Sequence, residues 1–426
     1  MVRLLPRHRS TKAMKVMQLL LTLHFFLLLR NHNTAHSARH KSTATDFRLP
    51  SGSHELDSTR PRPQPPVRQE EHPPLTRWPT TSLTDAALPQ PQIIAELPRF
   101  REAASFRNGE ECAPIHQQKS GGSEQQQQLC DAASVHIAMT LDAAYIRGSI
   151  AAVLSIVQHT ACPENLAFHF IASRMEEKLS VLLSSTFPYL RFKLYKFDEG
   201  ILQGKISPSV RNSLEQPLNY ARTYIADILP SCIKRVIYLD SDLIVVDDVA
   251  KLWRTDLNGH ALAAPQYCHV DFSHYFNSVF WENAQLSAVF RGRKLCYFNT
   301  GVMVMDLEKW RRSYYVQAIE CWMEVQTKLR IYELGSLPPF LLVFAGRIGE
   351  IENRWNQHGL GGDNLQGECR GLHSGAVSLL HWSGKGKPWV RLDAGKPCPL
   401  DMLWAPYDLH IKTQQKVETG SLSFGP

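Results

Sequence analysis

Residues 235–246 read RVIYLDSDLIVV, an apolar run that meets two aspartates one residue apart, Asp240 and Asp242, and then turns apolar again at Leu243. A short apolar run rich in β-branched and aromatic residues is a buried strand. Along an extended chain, side chains two positions apart leave on the same face, so both carboxylates project together from the strand's end. A divalent cation can bridge such a pair. Oxygen ligands suit magnesium or manganese, and an added imidazole nitrogen favours manganese. Read alone, the pair is equally well a helix cap or a solvated turn. The next two acids, Asp247 and Asp248, precede the helix-patterned VAKLWR and are expected to cap it, without chemistry.

Upstream, apolar runs of strand length begin at Val135 (VHIAMT), Leu166 (LAFHFIA) and Arg191 (RFKLYKF). They alternate with helix-patterned segments at 149–160, 176–185 and 220–229. This rhythm predicts an α/β sheet with parallel strands, whose ligands gather at the strands' carboxyl ends. Downstream, residues 378–380 form a further short strand that ends in His381 and runs into WSGKGKPW. A neutral imidazole nitrogen there can join a metal, while glycine amides and Lys387 can meet phosphate. Between the two lies CYFNTG, residues 296–301, where the Asn299 amide suits sugar hydroxyls and Gly301 permits close backbone approach.

In order, LNYARTYIADILPSCIKRVIYLDSDLIVVDDVAKLW, CYFNTGVMVMDLEKWR, RWNQHGLGGDN and LLHWSGKGKPW resemble the successive signatures of glycosyltransferase family 8, over a span from about Val135 to Tyr407. The segments YELGSLPPFLLVFAG and LDAGKPCPLDMLWAPYDL are similar, more narrowly, to the plant galacturonosyltransferase-like group. The resemblance implies a GT-A fold with a mixed central sheet, and a UDP-sugar donor held with manganese (or magnesium) by Asp240, Asp242 and His381. It further implies that Arg222 and Lys387 stabilise the leaving diphosphate. Thr140, Asp142, Tyr145, Ser241, Asn299 and Gly384 would contact nucleotide or sugar. Many family members carry an Asp-Gln pair beside the donor sugar; here Ser336, Leu337, Pro338 and Pro339 stand in its place, as in the narrower group.

The function this implies is retaining transfer of a sugar, galacturonate first and glucuronate or xylose otherwise, from UDP to pectin or xylan, with partner transferases a further expectation. Two other readings compete with it. A strand-end Asp-x-Asp phosphohydrolase would follow its second aspartate with glycine or a hydroxyl residue, whereas Leu243 follows here and the His-Gly-Lys-Pro-Trp constellation goes unexplained. A non-catalytic lumenal scaffold that binds UDP-sugar would account for the missing Asp-Gln pair but not for three intact metal ligands.

The leader organises the rest of the 426 residues. A basic tail, 1–15, precedes the 14-residue apolar run Val16 to Leu29, expected as a signal-anchor of a type II Golgi membrane protein, or else as a cleaved signal peptide. Residues 30–130, with eleven prolines between Pro50 and Pro98 and a glutamine run at 125–128, read as a disordered stem, with PQIIAEL near Ile93 and Ile94 the one stretch able to dock. The catalytic domain is placed at 131–426. Of the net charge of +7, residues 1–130 hold +6 (17 basic against 11 acidic) and the remainder +1 (30 against 29), so no basic face for nucleic acid is expected on the folded part. Nine cysteines without a Cys-x-x-Cys pair argue against a zinc ribbon, permit disulfides in an oxidising lumen, and leave at least one thiol over.

Overall fold

A computed structural model describes residues 97–114, 129–131, 133–209, 214–362 and 368–412. Strands β1 (Val135–Thr140), β2 (Leu166–Ala172), β3 (Phe192–Lys196) and β4 (Arg235–Leu239) are mutually parallel in the order β3-β2-β1-β4. After a two-stranded excursion begun by β5 (Leu243–Val245), the sheet is extended by β6 (Leu262–Tyr267), β7 (Tyr297–Phe298), β8 (Val302–Asp306) and β9 (Gly349–Ile351). β8 pairs antiparallel with β4, β6 antiparallel with β8, and β9 parallel with β6, so the sheet is mixed, as expected. β10 (Leu379–His381) returns from far along the chain to pair antiparallel with β5, placing His381 opposite Leu243.

The inner strands β1, β2, β4 and β8 read as nearly unbroken apolar runs because both faces are covered, whereas the edge strand β3, FKLYK, is only partly buried. Alternate residues feed two cores: Ile137, Met139, Ile237 and Leu239 pack with helices α1 (Ile146–His159) and α2 (Glu176–Thr186). Ala138, Val236 and Tyr238 face the other side, toward Trp310 and helix α3 (Leu337–Phe344). The expected helices at 149–160 and 176–185 are thus present within a few residues. The third is instead a 3₁₀ segment, Pro217–Tyr224, continued by one α turn, Ile225–Ile228. Pro217 supplies its fixed φ at the start of that segment.

The stem boundary requires correction. Residues 97–114 belong to the folded unit: Leu97, Phe100, Ala103 and Phe106, apolar at every third position, pack on the α1/α2 core. Arg101 and Ile411 exchange backbone bonds with Leu409 and Arg99, and Cys112 is bonded to Cys162. The packing of four regularly spaced apolar groups and a cross-link offset the cost of ordering this segment. The leader run at 16–29 and the Ile93–Ile94 stretch lie outside the described residues. Among the described residues no helix is long and apolar enough to cross a membrane. The other disulfides are Cys130–Cys232, Cys268–Cys296 and Cys369–Cys398, with Cys321 the leftover thiol.

Candidate active site

The site sits where β1 and β4 end. The backbone N–H of Asp240 bonds to the carbonyl of Gly301, and the Ser241 hydroxyl donates to the carbonyl of Thr140 at 2.8 Å, tying the Asp-Ser-Asp turn to both neighbouring strands. The Trp382 N–H then reaches the Asp242 carbonyl, locking β10's exit against the same turn. These bonds hold His381 Nε2 at 3.1 Å from Asp242 Oδ1 and 3.8 Å from Asp240 Oδ2. One ligand atom from each of the three residues lies within 4.8 Å of the others.

Adjacent ligands of an octahedral dication bonded at ~2.1 Å stand ~3 Å apart, so this donor set fits magnesium or manganese. Gly301 keeps the space clear: a Cβ there would overlap the His381 ring and stand 2.5 Å from Asp240 Oδ2. The signal was in the sequence, as the glycine of CYFNTG.

Two cations flank the acids. Arg222, buried, places its guanidinium 3.0 Å from Asp240 Oδ1 and donates to the carbonyl and hydroxyl of Thr300. The Tyr238 hydroxyl donates to the same aspartate oxygen at 2.9 Å. Lys387 Nζ lies 2.5 Å from Asp242 Oδ2 and 2.8 Å from the carbonyl of Trp382. Burial works against a charge at Asp242, but the adjacent Lys387 ammonium outweighs it and holds the carboxyl well below the usual carboxylate range. Two acids and two bases leave the site near neutral. A dication would turn it positive, which suits a diphosphate.

The expected sugar and nucleotide contacts divide. Asn299 is inside the site, its Oδ1 accepting from Gly301 N–H at 2.8 Å and from Asn356 Nδ2 at 3.3 Å. Tyr145 stands beside Lys387, whose Nζ is 5.4 Å from the ring centre, and packs edge-on against Trp389. Thr140 and Ser241 spend their mutual bond on the turn itself. Asp142 lies on the exposed rim, its Oδ1 accepting from Tyr145 N–H at the entry to α1. Gly384 has φ +117° and pairs with Gly362, whose carbonyl a Cβ would strike; its glycine is required by the loop's own path.

One expectation fails outright. Asp248 caps the helix Val249–Trp253 through Ala250 N–H, but Asp247 does not cap; it joins Lys251, Arg354 and Ser378, stitching this loop to the strand before His381.

Sequence reasoning passed over Asn356, whose Oδ1 lies 2.9 Å from His381 Nδ1. Its only signal was position, within RWNQHG. A cavity of about 680 Å³ adjoins it, lined among others by Tyr267, His269, Arg354, Gln357 and His373. The Tyr267 hydroxyl donates to the Asn356 carbonyl, so cavity and metal-type site share a wall.

A mixed α/β sheet of the GT-A type with acids and an imidazole gathered at its strand ends defines a sugar-nucleotide-dependent glycosyltransferase. The model of glycosyl transferase family 8 matches residues 136–393, and the chain belongs to that family, in its galacturonosyltransferase-like group. It is 58% identical over 317 residues to "Probable galacturonosyltransferase-like 3" of Arabidopsis thaliana, covering 74% of this chain and 90% of that protein. It is 60% identical over 311 residues to "Probable galacturonosyltransferase-like 7" of the same plant, covering 73% and 83%. Among solved structures, the galactosyltransferase LgtC in complex with donor and acceptor sugar analogues superposes with a TM-score of 0.50 at 20% identity, over 66% of this chain and 98% of that one. That likeness is one of fold.

Proposed function

We propose that this glycosyltransferase transfers galacturonate from UDP-galacturonate to a pectin or xylan chain, with retention of configuration and with manganese held by Asp240, Asp242 and His381. The observation that carries the reading is the convergence of these three side chains, two from one turn and one from a strand 139 residues beyond Asp242, around a space kept open by Gly301. Relatives named for galacturonosyl transfer support the donor.

A bound dication supplies Lewis acidity to a departing diphosphate. Around it, Lys387 and Arg222 are already placed and partly desolvated, and need little reorganisation as negative charge builds on the leaving group. Arg222 is braced by Thr300, so it contributes field from a fixed position. Asn299 Nδ2 donates to the Tyr297 hydroxyl at 3.4 Å and keeps a second hydrogen for a sugar hydroxyl, and the cavity beside Asn356 has room for a pyranose unit of the acceptor.

We place the protein in the Golgi membrane as a single-pass type II chain, in company with partner transferases. Support comes from the basic-flanked apolar run at 16–29 and from four disulfides, which belong to an oxidising compartment. The test is UDP release by the purified protein over a panel of UDP-sugars, with manganese and with chelator, in the presence of oligogalacturonide or xylan oligomers. Manganese-dependent release highest with UDP-galacturonate is the expected result; equal release with chelator removes the metal from the reading, and a preference for another donor removes the sugar.

A further inference from the structure

We infer that the backbone N–H of Gly301, acting through the side-chain amides of Asn299 and Asn356, fixes which nitrogen of His381 carries its proton and so presents Nε2 to Asp240 and Asp242 as a bare cation ligand. Which atom of an amide is nitrogen, and which ring nitrogen of a histidine is protonated, are ordinarily settled only by the network around them. Here the network starts from a group whose role cannot vary.

A backbone N–H can only donate. The Asn299 atom 2.8 Å from Gly301 N is therefore the amide oxygen. That oxygen also faces the Asn356 amide at 3.3 Å, so the Asn356 atom on that side is the donor, Nδ2. Its opposite atom, Oδ1, stands 2.9 Å from His381 Nδ1 and can only accept. Nδ1 must then bear the hydrogen, and in the neutral ring Nε2 is left with a lone pair.

That lone pair points at carboxylate oxygens 3.1 and 3.8 Å away. Acceptor meets acceptor, an arrangement a cation relieves. Asn356 and His381 are both fully buried, so water cannot repair the relay if one amide turns over. The Tyr267 hydroxyl, donating to the Asn356 carbonyl, holds that residue's main chain in place. Asn356 is thus a positioning residue: it orients a ligand and selects its tautomer, as partners of metal-bound histidines do. The purpose of the relay rests on the divalent-cation reading above; the tautomer does not.

The experiment compares Asn356→Asp with Asn356→Leu in the folded protein. Aspartate keeps an oxygen facing Nδ1, whereas leucine, of similar size, keeps none. Manganese affinity, read by electron paramagnetic resonance of the free ion, is expected to fall ~10- to 100-fold in Asn356→Leu and to stay within about threefold of wild type in Asn356→Asp. A merely structural role would make the buried extra charge of Asn356→Asp at least as damaging as leucine.

In parallel, histidine-selective ¹⁵N spectra of the metal-free wild-type protein, taken where the ring is neutral and assigned against His381→Gln, should show the Nδ1–H form. An Nε2–H form, or equal loss of manganese binding in the two variants with unchanged circular dichroism, overturns the inference. Should wild type bind no manganese at all, the cation reading fails, and the spectrum still decides the tautomer.

Discussion

At the carboxyl end of β4, His381 lies between Asn356 and two aspartates. Near the amino end of β1, His136 lies 3.0 Å from His169, with the Tyr195 hydroxyl 3.1 Å beyond and Trp253 edge-on to the His136 ring. Both networks are buried in one protein, and both link an imidazole to a second side-chain partner. Their neighbours differ in sign. Around His381 stand Asp240 and Asp242, whereas at His136 the pull of Arg191 outweighs that of Asp131, and Arg191 and Lys193 face His169. Burial first, then Arg191, lowers His136 to about 4, so the ring stays neutral where a free histidine would begin to charge. A buried histidine becomes a candidate cation ligand when carboxylate oxygens lie within ligand distance of its ring nitrogen, as at His381, and a packing element when its ring nitrogens meet only another imidazole and a hydroxyl, as in the His136–His169 pair.

The comparison breaks most visibly at Asp242. Asp242→Asn removes the carboxylate charge that pairs with Lys387 and faces His381, and transfer is expected to fall by at least ~10²-fold, with manganese-dependent UDP binding lost, as read by calorimetry. The same change also strands the buried Lys387 ammonium without its carboxylate, a loss of ~3 kcal/mol visible in the urea midpoint. Full UDP affinity in the variant would sink the site.

Gly301→Ala is a narrower strike at the same end. Its methyl would press on the His381 ring and the Asp240 carboxylate, at an overpacking cost of ~1–3 kcal/mol. Manganese affinity is expected to drop about tenfold or more, with helix content unchanged by circular dichroism. Wild-type affinity would mean that the space beside Gly301 holds no ion.

The other network is broken by acid. A histidine whose folded pKa is lowered adds nothing to the pH dependence above its unfolded value near 6.5. As pH falls from there toward about 4, the unfolded chain takes up a proton that the folded chain refuses, and stability is lost. For His136 the loss amounts to ~3 kcal/mol across that window. Thermal unfolding in chelator from pH 7 to 4.5 should therefore show a smaller acid shift in His136→Gln than in wild type; equal shifts would assign the acid sensitivity elsewhere.

How far these two ends were legible beforehand follows from range. The strands, the Asp240/Asp242 face and the late His381 strand were readable because period-two patterning and strand-end position are local properties. The family resemblance supplied what no local pattern holds, that residues 139 apart meet. Asn356 stayed hidden because its function is to orient another side chain, and an asparagine in a loop has many uses. The docking of 97–114 was missed for a different reason: apolar residues at every third position match neither helix nor strand, and the segment lies between proline-rich and glutamine-rich stretches.

The smallest effect belongs to an acid that has no imidazole beside it. Asp248 lies six residues beyond Asp242, past the apolar run 243–246, yet its Oδ1 accepts only the Ala250 N–H at 2.9 Å, at the start of the helix Val249–Trp253. An amide oxygen can accept that bond as well as a carboxylate can, so Asp248→Asn should leave stability within a few tenths of a kcal/mol, and Asp248→Ala should cost ~1 kcal/mol. Neither should change manganese-dependent UDP affinity. Paired with Asp242→Asn, the same chemical change read in the same two assays isolates position from residue type. If Asp248→Asn also weakened UDP binding, the loss at Asp242 could no longer be assigned to a ligand at the site, and disturbance of the shared loop would account for both.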